Sequence, residues 1–312
     1  MRISEGSGNT VTVVATVYAE DASLADAVKL ERVSGGDRSA TLRVRYPYDR
    51  VSTFRYRSPT EQRGFSLLDF GSTSTYEYDG RSVDVNPSHG KRLHADVEIK
   101  VPHGSLKAGF RNLVGLVDAE GLQGQLRFDV ESADLRLRRL DGDLVLEGSS
   151  GDIRASDIRG TWKSEFSSGD LRLDGFDGDS FDFHAESGDL SARNVRAARM
   201  RTETSSGDVK ISSADVEEFS AEASSGDVSF TLQGSRARSI EVTTASGDVS
   251  LRLPDNEAFE ALTDTSSGDV SMRFRDITAR HHGGDEVDYR HGTGGARIHV
   301  TTSSGDMSIS PI

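Results

Sequence analysis

From about residue 95 onward the chain is written in short runs that alternate apolar and polar positions. "DVSFTLQ" sets Val228, Phe230 and Leu232 on one face and Ser229 and Thr231 on the other. "SIEVTTAS" sets Ile240, Val242 and Thr244 against Glu241 and Thr243. A period of two is that of a strand with one buried face. Between the runs stands a recurring corner: "FSSGDLRL", "AESGDLSA", "TSSGDVKI", "ASSGDVSF", "TASGDVSL", "TSSGDVSM" and "TSSGDMSI". Its aspartates mark the repeat. They are Asp134 (in the degenerate "ESADLRL"), Asp152, Asp170, Asp189, Asp208, Asp227, Asp248, Asp269 and Asp306, spaced by 18, 18, 19, 19, 19, 21, 21 and 37 residues. Two strands and two turns fill about 19 residues, and such a fixed period is the signature of a solenoid.

The expected fold is therefore all-β: a β-solenoid, parallel β-helix-like, with two strands per rung. Val209, Val228, Val249 and Val270 are expected to be successive neighbours in one buried column. The last gap of 37 holds either two rungs or one rung with an insertion. Gly supplies backbone freedom at each corner, and Ser and Asp side chains bond to nearby N–H groups. Gly226 is expected to need positive φ. Stacking places the corner residues Asp152, Asp170, Asp189, Asp208, Asp227, Asp248, Asp269 and Asp306 in a column of like charge. At a rung spacing of ~4.8 Å, neighbours repel by about 0.9 kcal/mol in water, and roughly fourfold more at an effective dielectric of 20. Such a column needs water, backbone N–H groups or cations. The calcium-roll repeat G-G-x-G-x-D-x-U-x is absent.

Residues 1–94 read as an N-terminal β cap. Strands are expected at 10–17, 28–33 and 41–46, and "ASLADAVKL" is compatible with a short helix. Residues 47–90 break the pattern as an aromatic-rich insertion. Eight of the 21 aromatic residues fall between Tyr46 and Tyr78, and arginines are interleaved with them. Tyr46, Tyr48, Arg55, Tyr56, Arg57, Arg63, Tyr76 and Tyr78 are the candidate binding residues, able to stack on sugars or peptides. The alternative is a hairpin that packs Phe54, Phe65 and Phe70 inward. The repeats are expected to run from 95 to 312.

The outward strand positions give a Ser/Arg surface on one sheet (Arg154, Arg172, Lys210, Ser229, Ser250) and a mostly acidic one on the other (Glu165, Glu203, Glu222, Glu241). The formal charge is −14. Residues 131–280 hold 30 acids and 18 bases, net −12, whereas residues 1–130 balance 17 against 17. Nucleic acid is a disfavoured partner for such a chain. There is no cysteine, so thiolate chemistry and disulfides are excluded. No apolar run reaches the ~18 residues of a membrane span, and no signal peptide is visible. His281, His282, Asp285 and His291 are metal-ligand types at a spacing that matches no strong pattern, and their segment reads as a polar loop. No catalytic residue, metal site or cofactor is assigned, because no nucleophile, phosphate-loop or zincin motif occurs in context.

"VEIKVPHGSLKA", the serial "SGD[VL]" strands and "GTGGARIHVTTSSGDMSI" together resemble the bacterial putative-adhesin family of β-strand-repeat (SGD-repeat) proteins, a domain of unknown function. The resemblance covers most of residues 95–312. It implies an extracytoplasmic or membrane-associated envelope protein and brings no catalytic residues. The function expected is a non-enzymatic scaffold or binding module for a glycan, a cell-envelope polymer or a protein. Two alternatives stand beside it. A self-assembling protein would stack through exposed strand edges at the solenoid ends, where "MSISPI" carries Pro311 as its only visible blocker. A carbohydrate-active enzyme would need convergent acids in a cleft.

Overall fold

The computed structural model describes residues 1–36, 39–56, 73–283 and 286–312. In chain order the first elements are β1 (Arg2–Glu5), β2 (Thr12–Ala19), α1 (Ala22–Ala27), β3 (Lys29–Gly36), β4 (Ser39–Arg45), β5 (Thr53–Arg55), β6 (Ser74–Tyr78), β7 (Arg81–Asn86) and β8 (Leu93–Val101). The long strands follow: β9 (Ser105–Glu120), β10 (Gln123–Ser150), β11 (Ile153–Ser168), β12 (Leu171–Ser187), β13 (Leu190–Ser206) and β14 (Val209–Ser225). The last are β15 (Val228–Leu232), β16 (Ser239–Ser246), β17 (Val249–Leu253), β18 (Phe259–Thr265), β19 (Val270–Met272), β20 (Thr278–Gly283), β21 (Glu286–His291), β22 (Ala296–Ser304) and β23 (Met307–Pro311).

The chain divides into two compact units. The first holds residues 1–103, 112–120 and 131–134. Its main sheet runs β2–β8–β1–β9: β2 lies antiparallel on β8, β8 is parallel to β1, and β1 is parallel to the end of β9. Helix α1 starts at Asp21, whose carboxylate accepts the Leu24 N–H at 2.9 Å, as an N-cap requires. The helix buries Leu24 in a cluster with Val28, Val51, Phe54, Val83 and Leu93. A three-stranded sheet β5–β7–β6 and the hairpin β3–β4 complete the unit.

The second unit holds residues 104–111, 121–130 and 135–312 and is the β-solenoid. Its rungs stack in parallel register. Leu135, Ile153, Leu171, Leu190, Val209, Val228 and Val249 follow one another in one buried column. Trp162, Phe181, Met200, Phe219 and Ile240 follow one another in a second. The turn between the two runs of a rung falls on one left-handed residue: Arg139, Asp157, Gly175, Asn194 or Ser213, with φ of 51, 54, 87, 56 and 57°. A single such residue bends the strand without interrupting it, which is why β10 to β14 each pass through the corner.

The expected column of four valines is broken at its end. The neighbour of Val249 is Met307, and Val270 lies beyond Met307. Strands β22 and β23 enter between two rungs that are consecutive in sequence, giving the orders β16–β22–β18 and β17–β23–β19. The 37-residue gap is therefore one rung plus an inserted hairpin, β20–β21, which lies antiparallel on the far side of β18. "MSISPI" is an interior strand rather than the solenoid end. In that sheet the end is β19, and in the other it is the β20–β21 hairpin.

Candidate functional site

Two places concentrate chemistry: the repeated corner and the tyrosine-rich part of the first unit. At the corner, Gly226 has φ 145°, and a Cβ built on it would stand 2.1 Å from the Gly207 carbonyl oxygen. The same approach recurs from Gly169 to Gly268, each glycine lying on the carbonyl of the rung beside it. Only glycine meets both conditions. The aspartates form a relay. The Asp248 N–H donates to Asp227 Oδ1 at 2.8 Å, Asp306 N–H to Asp248 at 2.8 Å, and Asp269 N–H to Asp306 at 2.9 Å. Earlier members of the column repeat this at 2.9 to 3.3 Å, from Asp152 through Asp170, Asp189 and Asp208 to Asp227. Arg172 and Arg154 add ion pairs with Asp170 (3.0 Å) and Asp152 (3.4 Å). Backbone donors thus hold the like charges in line. No group of three or more metal-ligand side chains occurs among the described residues.

On the outward face of that sheet, Arg154, Arg172, Ser191, Lys210, Ser229, Ser250 and Ser308 follow one another, so basic and small residues share one column. The other sheet aligns Glu165, His184, Glu203 and Glu222, with Arg201 3.4 Å from Glu203.

In the first unit the tyrosines are brought together, but much of their surface is used in packing. Tyr46 is half-buried, meets Phe54 and Tyr78 edge to face, and accepts the Ala95 N–H at 3.0 Å. Burial pushes its hydroxyl up to about 12. Tyr78 donates to the Val44 carbonyl, and burial pushes it up to about 12 as well. Tyr56 sets its ring against His94, which in turn stacks on Tyr18. Tyr48 is different. Its hydroxyl donates to Asp79 at 2.9 Å, and the Arg81 guanidinium lies 5.0 Å from its ring centre, a cation–π geometry. Arg43 reaches the same Asp79 carboxylate at 2.7 Å. The hydrogen bond from Tyr48, joined by the Arg43 charge, holds that carboxyl below its ordinary value. Tyr76 and Arg55 are half-buried on β6 and β5. Arg57, Arg63, Phe65 and Phe70 lie outside the described residues.

Arg43, Asp79 and Arg81 are not among the residues that the sequence singles out. A signal is present all the same: "YDGR" places Asp-Gly between two strands, and Asp79 and Gly80 take φ of 55 and 70°, as a tight hairpin turn demands. That turn carries Asp79 and Arg81 to Tyr48. Of the four metal-ligand types near the end of the chain, His291 has a packing role. Its ring lies against Phe259 and Phe274 at 5.5 and 5.0 Å, and its Nδ1–H donates to the Glu257 carbonyl at 2.8 Å. His281 is exposed on β20. Asp285 and the side chain of His282 lie outside the described residues.

A protein-family model described as Toastrack DUF4097 matches residues 90–310. No curated protein matches the chain. Among solved structures, a putative cell adhesion protein from Clostridium sporogenes ATCC 15579 aligns with 100% of this chain and 87% of its own, at 9% identity and a TM-score of 0.21.

Proposed function

The chain belongs to the Toastrack DUF4097 family, and from that premise we propose that it is a non-enzymatic scaffold and binding module of the bacterial cell envelope, working outside the cytoplasm. The observation that carries this reading is a division of labour between the two units. In the solenoid, glycine, aspartate and apolar residues are committed to holding rung to rung. In the first unit, Tyr48, Arg81, Asp79 and Arg43 form a connected aromatic and charged patch whose ion pairs reach the surface.

A tyrosine ring with a guanidinium over it and a carboxylate beside it suits hydroxylated or acidic groups of a glycan or envelope polymer. Residues 1–130, which carry the patch, balance 17 acids against 17 bases, whereas residues 131–280 carry net −12, so an anionic polymer meets less repulsion there than at the solenoid. Binding of the full chain to a panel of glycans and cell-wall polymers tests the reading. Tyr48→Ala and Arg81→Ala are expected to weaken binding of the captured polymer by roughly tenfold, the scale of one lost stacking or charged contact. Arg252→Ala, on the solenoid face, is expected to leave binding unchanged. Loss with Arg252→Ala alone would move the site to the solenoid.

A further inference from the structure

The rung formed by β22 and β23 is the last part of the chain, yet it lies inside the stack. It fills a slot one strand wide between Ser239–Leu253 and Phe259–Met272. Both walls of the slot are bonded to it. The Gly247 N–H donates to the Ser304 carbonyl at 3.1 Å and the Val249 N–H to the Asp306 carbonyl at 2.9 Å. On the other side Gly305 N–H donates to Ser267 at 3.0 Å and Met307 N–H to Asp269 at 2.9 Å. Ile298, Val300, Met307 and Ile309 are buried in it.

We propose that this slot is an interface for a second copy of the chain, filled by exchange of the terminal rung, residues 296–312, between two molecules. Three observations carry the inference. First, the slot recognises its occupant through features that every copy brings: the close glycine stack Gly247–Gly305–Gly268 and the aspartate relay Asp248–Asp306–Asp269. A foreign strand lacking glycine and aspartate at the corner would clash and leave an N–H unpaired, so a second copy is the fitting partner. Second, the rung is joined to the rest by "GTGG". Gly292, Gly294 and Gly295 there have φ of 69, 73 and 93°, and a Cβ on Gly295 would stand 1.7 Å from the Ala258 carbonyl oxygen. This tight crossing over the start of β18 is a glycine-rich hinge that reaches up to ~14 Å when straightened. Third, β21 is paired to β18 on the edge away from the rung, and β20 is paired to β21, so the hinge can open while the hairpin stays on β18. The exchanged form makes the same ladder contacts as the closed one. Hinge conformation and protein concentration then set the balance between them. This inference is independent of the polymer-binding reading.

The 312-residue chain has no native cysteine, which allows a clean test on it. Ser250 and Ser308 are register partners across β17 and β23. Ser250→Cys and Ser308→Cys are made as separate variants, mixed, concentrated to about 1 mM, held near the melting midpoint and cooled, then oxidised. Mass spectrometry identifies which peptides become linked. The expected result is a covalent dimer in which the thiol introduced by Ser250→Cys in one chain is joined to the thiol introduced by Ser308→Cys in the other. Its yield should rise at least roughly tenfold between about 10 µM and 1 mM, as a bimolecular exchange requires. Light scattering on the unsubstituted protein after the same treatment should show a dimer with unchanged far-ultraviolet circular dichroism. The proposal is overturned if the unsubstituted protein stays monomeric throughout. A dimer in which the two introduced thiols are not linked also overturns it, because association would then use another surface.

Discussion

At the scale of the residue, the corner is decided by backbone geometry more than by charge. Gly226→Val adds a β-branched side chain at φ 145° and 2.1 Å from a carbonyl oxygen. It should cost about 2 kcal/mol or more in denaturant-induced unfolding, the combined scale of backbone strain and overpacking. Asp227 accepts the Asp248 N–H. Asp227→Ala should therefore lose about 1 kcal/mol, while Asp227→Asn keeps an acceptor and removes one charge from the column, leaving the midpoint unchanged or higher. Glu257 gives a pH signature of its own. Burial raises its carboxyl above the ordinary 4.5, so the folded state favours the protonated form. The stability this contributes is complete below pH 4.5 and is lost as pH rises through the raised value. Glu257→Gln should then melt higher than the parent at about pH 7, with the difference closing towards about pH 4. The corner glycine and aspartate are legible in the sequence because one motif recurs at a near-constant spacing. The second corner is not, because Arg139, Asp157, Asn194 and Ser213 share a left-handed backbone but no common side chain.

At the scale of the element, the strand alternation in "DVSFTLQ" and "SIEVTTAS" is sufficient to place Val228, Phe230, Ile240 and Val242 in the core, where they are buried. Order among the last rungs is beyond that kind of reasoning. "TASGDVSL", "TSSGDVSM" and "TSSGDMSI" offer the same apolar face, the same glycine and the same carboxylate, so pairing Val249 with Val270 or with Met307 looks alike residue by residue. What separates them is the antiparallel β20–β21 hairpin, formed by a segment whose "HHGGDEVDYRH" reads as a polar loop. The tyrosines show the opposite limit: their clustering is legible, but their use is hidden, because a ring in the core and a ring in a site have the same composition. Between β15 and β16 the usual corner is replaced by a longer loop, and Arg236 fastens it. Its guanidinium reaches Asp215 at 3.1 Å and the carbonyls of Ala197 and Asp215 at 3.2 and 3.0 Å. Arg236→Ala should destabilise the solenoid by about 1–2 kcal/mol, and Arg236→Lys should recover little of it, since an ammonium cannot serve three acceptors in that fork. Thermal melting of the two variants beside the parent checks both.

At the scale of the whole molecule, the charge excess lies in residues 131–280. The single tryptophan, Trp162, is buried within the solenoid and donates to Ser164 at 2.9 Å, so its fluorescence reports the unfolding of that unit. Raising sodium chloride from about 0.05 to 0.5 M should raise the midpoint by a few degrees, because screening relieves more repulsion than it weakens exposed ion pairs. Calcium chloride at equal ionic strength should add nothing further, since the corner carboxylates already bond to backbone N–H groups; a selective calcium shift would mean that the column takes up cations. The inserted terminal rung bears on ancestry as well. Between Asp152 and Asp227 each rung pairs with its two neighbours through the same ladder, and Arg236 reaches across one rung to the Ala197 carbonyl, while the closing devices are confined to the rungs after Ser239. Duplicating or deleting one unit of about 19 residues in that interval leaves the closure untouched and changes the solenoid's length by ~4.8 Å. Length is thus a trait that can be adjusted by whole steps, and related chains are expected to differ in rung number there while keeping the "GTGG" crossing and the rung that follows it.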